Sequence, residues 1–122
     1  MEQTFGSYVR EKRIARGLSL RGLAAELEVS PVYMSNMETD RKPAPSQEKL
    51  DHLIKILGLN QSETELLLDL AAKSKTRQVS ADLPEYIMER DIVRAALRTA
   101  KEVDATDEEW QEFIDRITRR GK

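Results

Sequence analysis

The sequence contains no cysteine, which removes disulfide scaffolds and thiolate metal sites and suits a reducing compartment. Its single histidine, His52, falls on the polar side of a helical pattern. Neither a transition-metal site nor a nucleophile–base pair has material to form, so no cofactor, no metal and no enzymatic activity are expected. The acidic group Asp104, Asp107, Glu108 and Glu109 lacks the alternate-position ligands and central glycine of a calcium loop, and helix capping accounts for it better. No glycine pattern that would cradle a phosphate occurs. Apolar runs stop at three residues, as in Leu66 to Leu68, far short of a signal core or a membrane span. The chain is therefore expected to stay in the cytoplasm where it is made. Aromatics make up only 5% of residues, with five glycines and four prolines, and strand-like alternation is nowhere convincing, so an all-α fold is expected.

Hydrophobic residues account for 39% and charged residues for 34% of the 122 positions, the composition of a helix-rich globular chain. The net charge of −2 argues at first against nucleic acid, which binds through phosphate neutralisation. Distribution alters that reading. Residues 1 to 79 carry 12 basic and 11 acidic side chains, and residues 80 to 122 carry 8 and 11, giving +1 and −3. Arg10, Lys12, Arg13, Arg16 and Arg21 have only Glu11 as a nearby acid, and Arg41 with Lys42 forms a second basic spot. On charge alone the solvated faces of ordinary helices are the better reading of these residues.

Periodicity predicts a first helix from about Phe5 to Ala15, ended by Gly17. Ser19 then caps a short amphipathic helix with Leu20, Leu23, Ala24 and Leu27 at i, i+3, i+4 and i+7. After the Glu28-Val29 connection, Ser30 caps a third helix with Pro31 in its first turn. The proline-containing stretch Arg41 to Pro45 is a loop, and Ser46 caps a fourth helix with Leu50, Leu53, Ile54 and Leu57 on its buried face. Ser62 with Glu65 reads as a capping box for a fifth, carrying Leu66, Leu67 and Leu70. Lys73 to Ser80 reads as a linker. Further helices follow: roughly Leu83 to Glu89, then one marked by Val93, Ala96, Leu97 and Ala100, then one marked by Trp110, Phe113, Ile114 and Ile117 behind a Thr106–Glu109 box. The division expected is a first domain over residues 1–76 and a helical module over 77–122.

Helix, tight turn, helix, with the second of these capped by serine and rich in small polar residues, lets one helix lie in the major groove of DNA. The run Gly17-Leu18-Ser19-Leu20-Arg21-Gly22-Leu23-Ala24, then Val29-Ser30, then Tyr33-Met34-Ser35-Asn36-Met37-Glu38 resembles the Cro/CI-type (Xre) helix-turn-helix regulators over about residues 5 to 60. The resemblance implies a five-helix lambda-repressor-like domain that binds double-stranded DNA. Matched position by position, it implies base contacts from Pro31, Val32 and Asn36: the first two could touch thymine methyls, and Asn36 could pair with adenine. Such sparse hydrogen bonding leaves part of the readout to DNA shape. Hydroxyls, cations and helix N-termini all serve phosphates, which makes Ser19, Tyr33, Ser35, Arg41, Lys42 and Ser46 candidates for backbone contacts. The family usually carries Gln where this chain has Leu20, so one polar phosphate contact is missing, although the backbone amides there remain.

Two charges point toward apolar faces. Arg13 lies in register with Phe5 and Val9, and Glu38 lies one turn beyond Met34 and beside Met37. Stranding either in the core is costly. Pairing Arg13 with Glu38 resolves both, as the resemblance also implies; the alternative is that both snorkel to solvent.

About forty C-terminal residues with narrow apolar stripes are marginal as a free-standing fold. The module is therefore expected to dock on the first domain, on a second copy of the chain or on another protein, with Val93, Leu97, Trp110, Phe113, Ile114 and Ile117 as its dimer or partner face. Two readings stay open: a dimeric repressor of a palindromic operator, or an antitoxin that sequesters a toxin and regulates its own operon.

Overall fold

Helix starts in the first half of the chain are set by side chains that accept hydrogen bonds from otherwise unsatisfied first-turn amides. In the computed structural model, which describes residues 3–75 and 79–120, Thr4 caps α1 (Phe5–Ala15), Ser19 caps α2 (Leu20–Leu27) and Ser30 caps α3 (Pro31–Glu38). Ser46 caps α4 (Gln47–Leu57) and Asn60 caps α5 (Gln61–Lys73). Three further helices follow: α6 (Pro84–Glu89), α7 (Asp91–Val103) and α8 (Asp107–Arg120). No strand occurs among the described residues, and the class is all-α. The start of α5 differs from the Ser62–Glu65 box predicted by the sequence. Asn60 Oδ1 accepts from Glu63 N at 2.8 Å, and Glu63 Oε1 accepts from Asn60 N at 2.9 Å. Asn60 already has extended backbone just past the left-handed turn at Gly58, so the box closes two residues earlier.

The core of the first five helices is aliphatic and methionine-rich. Val9, Leu23, Leu27, Met34, Met37, Leu53 and Leu67 are fully buried, α1 packs on α3 and α5, and α2 packs on α3 and α4. Lys12 Nζ and Glu63 Oε2, 2.6 Å apart, tie α1 to α5. The Asn60 amide, then Lys12, hold the Glu63 carboxyl below its ordinary range. Such a group stabilises the fold above the unfolded carboxylate range, and the contribution is lost as pH falls through the folded value.

Contacts divide the chain into two units, Met1–Pro84 and Glu85–Lys122. The boundary expected between residues 76 and 77 lies outside the described residues. The first unit continues past it because Ser80 is buried and its hydroxyl bonds to Asp69 on α5. In the second unit, Thr106 Oγ1 accepts from Glu109 N at 3.2 Å and Glu109 Oε1 from Thr106 N at 3.1 Å, which starts α8. Trp110 and Phe113 meet edge to face with centroids 6.0 Å apart.

Gly6 lets α1 touch the end of α3. A Cβ there would lie 2.5 Å from the Met37 carbonyl oxygen and 2.6 Å from that of Glu38, backbone atoms that cannot rotate away. Gly6→Ala should therefore destabilise the protein by about 1–3 kcal/mol despite the better helix propensity of alanine. Chemical denaturation checks this; a neutral or stabilised variant would show that the contact is loose.

Candidate nucleic-acid interface

The turn between α2 and α3 is made without glycine. Glu28 ends α2 in the left-handed region at φ 62°, Val29 packs on the core edge, and Ser30 returns to extended backbone and accepts from Tyr33 N at 3.0 Å. Pro31 occupies the first turn, where its missing amide hydrogen costs nothing. Met34 and Met37 turn into the core, which fixes the outward face of α3. Pro31 is exposed and Val32 is 70% exposed, while Tyr33, Ser35 and Asn36 are half-buried along the rim. Within the described residues the Asn36 side chain makes no hydrogen bond.

The basic loop is held against the end of that helix. The Asn36 carbonyl accepts from Arg41 N at 2.9 Å and from Lys42 N at 3.2 Å, so both cations are carried beside α3. Both are exposed and neither joins an ion pair among the described residues. They also border a cleft of about 700 Å³ with Thr4, Phe5, Leu70 and Lys73. Ser46 is exposed at the start of α4, and Ser19 is exposed at the start of α2, where its Oγ accepts from Gly22 N at 2.9 Å. The half-buried side chain of Leu20 packs against the core. The Tyr33 ring also rests on the core edge.

Arg13 and Glu38 meet. Arg13 Nε donates to Glu38 Oε2 at 2.8 Å and Nη2 to Oε1 at 3.1 Å, with the two side chains 12% and 4% exposed. The remaining nitrogen, Nη1, donates to the Leu18 carbonyl at 2.9 Å. The guanidinium thereby joins α1 to the end of α3 and to the backbone segment entering α2.

Besides Gly6, sequence reasoning missed Asp40 and Lys49, which also position this face. Asp40 sits in the left-handed region at φ 63°, a conformation that Asp tolerates better than most side chains, and its carboxylate accepts from Thr4 Oγ1 at 2.6 Å and from Gly6 N at 3.0 Å. It closes the α3 loop onto the first turn of α1. Lys49 Nζ donates to the Leu27 carbonyl at 2.8 Å, placing a cation at the C-terminus of α2 where the helix dipole favours it. Neither contact has a local sequence signal, because the partners are 22 or more residues apart. Val93, Leu97, Trp110, Phe113, Ile114 and Ile117 lie in the second unit, on α7 and α8.

Residues 4–67 match the family described as a helix-turn-helix domain. Over 93 residues the chain is 33% identical to the HTH-type transcriptional regulator RamB of Mycobacterium tuberculosis, in strains CDC 1551 and H37Rv. The match takes in 75% of this chain but only 18% of the length of those relatives. Among solved structures, a chain of the SinR protein/SinI protein complex is similar in fold, with a TM-score of 0.50 at 20% identity over 97% of this chain and 98% of that one. The clp gene regulator ClgR from C. glutamicum is 35% identical over 61% of this chain and 91% of its own, with a TM-score of 0.46.

The buried pair gives a sharp expectation. Glu38→Ala strands Arg13 and should cost about 3–5 kcal/mol, whereas replacing both residues with apolar ones of similar volume should cost much less. Urea melts of Arg13→Met, Glu38→Leu and the double variant measure the coupling; strictly additive losses would mean that the two residues do not act as a pair.

Proposed function

The chain belongs to the helix-turn-helix family of DNA-binding transcriptional regulators, the grouping whose Xre-type motif it resembles, and on that footing we propose that it is a dimeric repressor of a palindromic operator. The observation that carries the reading is the outward face of α3. Pro31 and Val32 stand exposed in its first turn, and Asn36, with no internal partner among the described residues, lies further along the rim. A helix presented this way enters the major groove with its N-terminal residues on base edges. Pro31 and Val32 meet thymine methyls, and the Asn36 amide reads adenine through N6 and N7. Around that helix, Tyr33, Ser35, Arg41, Lys42, the Ser46 helix start and the Ser19–Leu20 amides contact phosphates and fix the register. The family is a class of DNA-binding regulators rather than enzymes.

Repression follows from blocking: a chain that covers an operator needs no further contact to exclude polymerase. A cytoplasmic location fits this work, and no helix among the described residues is long and apolar enough to cross a membrane. Dimerisation is assigned to the second unit. Its helices leave Leu97 41%, Phe113 54%, Ile114 52% and Ile117 44% exposed, with Trp110 and Val93 half-buried beside them. A two-fold pairing that covers these residues would join two copies of the chain, as a palindromic operator with half-sites about 34 Å apart, one turn of B-DNA, requires. The antitoxin reading draws no support from the relatives, which are themselves described as transcriptional regulators.

Selection of bound duplexes from a random pool tests the base reading. Asn36→Ala should lose about 1–3 kcal/mol of discrimination at one base pair per half-site, while Arg41→Ala should weaken all sequences alike and flatten the salt dependence. An Asn36→Ala protein that keeps the wild-type preference at every position would remove Asn36 from the readout.

Sedimentation equilibrium tests the assembly. Trp110→Ala should weaken the dimer by roughly 3–5 kcal/mol, with operator affinity falling in parallel. An unchanged oligomeric state in this variant and in a chain ending at Pro84 would place the dimer contact elsewhere.

A further inference from the structure

The apolar stripe of α8 is flanked by charges arranged in a particular order. At about 100° per residue, Trp110, Phe113, Ile114 and Ile117 form one face, and Glu109, Arg116 and Arg120, at i, i+7 and i+11, lie together along one edge of it. The opposite edge carries Asp107, Gln111 and Thr118 and no base. All of these edge residues are exposed, and none joins an intrachain ion pair among the described residues. Glu109 gives one carboxylate oxygen, Oε1, to the Thr106 cap and keeps Oε2 for another donor.

From this order we infer that α8 pairs antiparallel with α8 of a second copy of the chain, its orientation set by Glu109 against Arg116 and Arg120; the inference rests on the dimer reading above. The midpoint of the apolar stripe falls between Phe113 and Ile114. A two-fold axis there sets Trp110 opposite the second copy's Ile117 and covers both stripes along their whole length. In an antiparallel pair each edge faces its own counterpart, so Glu109 comes between Arg116 and Arg120 of the other copy, and symmetry repeats the contact. In a parallel pair each edge faces the opposite edge. Glu109 would then meet Asp107 and Gln111, and neither arginine would meet an acid on that edge. Acid in the first half and base in the second half of a single edge is a self-complementary pattern, which identifies the partner as another copy of this chain. Contacts of this kind select orientation more than they add affinity.

The test is a charge-reversal series on the full chain, with sedimentation as the readout and circular dichroism as a check that α8 remains helical. Arg116→Glu with Arg120→Glu should raise the dimer dissociation constant by about tenfold or more at low salt, and the effect should shrink as salt screens it. Adding Glu109→Arg to the same chain should restore dimerisation, which a merely structural loss would not allow. The native chain has no cysteine, so a mixture of Glu109→Cys and Arg116→Cys proteins gives an independent readout: oxidation should cross-link one of each. If the wild type is a dimer but reversal has no effect, rescue fails with helicity intact, or the mixed cross-link does not form, the antiparallel assignment is overturned while the dimer reading stands. A monomeric wild type overturns both.

Discussion

Much of the first unit depends on where one guanidinium lies. Arg13 projects from α1 into a region closed by apolar side chains, and burial with an unmet charge would cost more than the domain can spare. Its donors are met by the Glu38 carboxylate on one side and the Leu18 carbonyl on the other. The planar fork suits this two-sided role in a way that a lysine ammonium would not. Because Glu38 is the last residue of α3, the bond fixes the helix that carries the outward face, and because Leu18 precedes α2, it fixes the entry to that helix as well. Gly6 and Asp40 act on the same junction from the other end of α1: the first permits backbone contact with α3, and the second ties the loop after α3 to the first turn of α1. The outward face of α3 thus rests on a rigid joint rather than on a loop, the condition that the proposed readout of DNA needs.

The net acidity of the chain is no obstacle to this. Arg41 and Lys42 are brought beside α3 by hydrogen bonds from their own amides to the Asn36 carbonyl, so a local positive field is built from backbone geometry rather than from overall composition. The acids that outweigh it are concentrated in the second unit, where Asp107, Glu108 and Glu109 complement the N-terminus of α8. The excess of acid over base falls in residues 80–122, at −3 against +1 for residues 1–79.

Most of the first unit was legible in the sequence because its signals are local. Serine caps, the Pro31 start, glycine after α1 and α4, and leucines at helical spacing fixed four of the first five helices closely. α5 was misplaced at its start because Asn60–Glu63 and Ser62–Glu65 both satisfy the box pattern, and only the preceding turn at Gly58 decides between them. Arg13 with Glu38 was legible as two charges aimed at apolar faces. Asp40, Gly6 and Lys49 were not, since each acts through a partner far along the chain. The place of Leu20 at a helix start suggests a phosphate contact, but its apolar side chain packs against the core. The second unit offers clear stripes and one capping box, Thr106 with Glu109, while α7 starts without a side-chain cap.

On the reading proposed above, the outward face of α3, with the loop folded against its end, is the surface that meets DNA. Hydrogen exchange on the full chain, free and bound to a duplex selected by the protein itself, addresses that claim residue by residue. Slowed exchange is expected at the first-turn amides of α2 and α3, at Arg41 and Lys42 and at the start of α4, with α7 and α8 unchanged. Slowing confined to α7 and α8, with α3 and its loop unaffected, would contradict it.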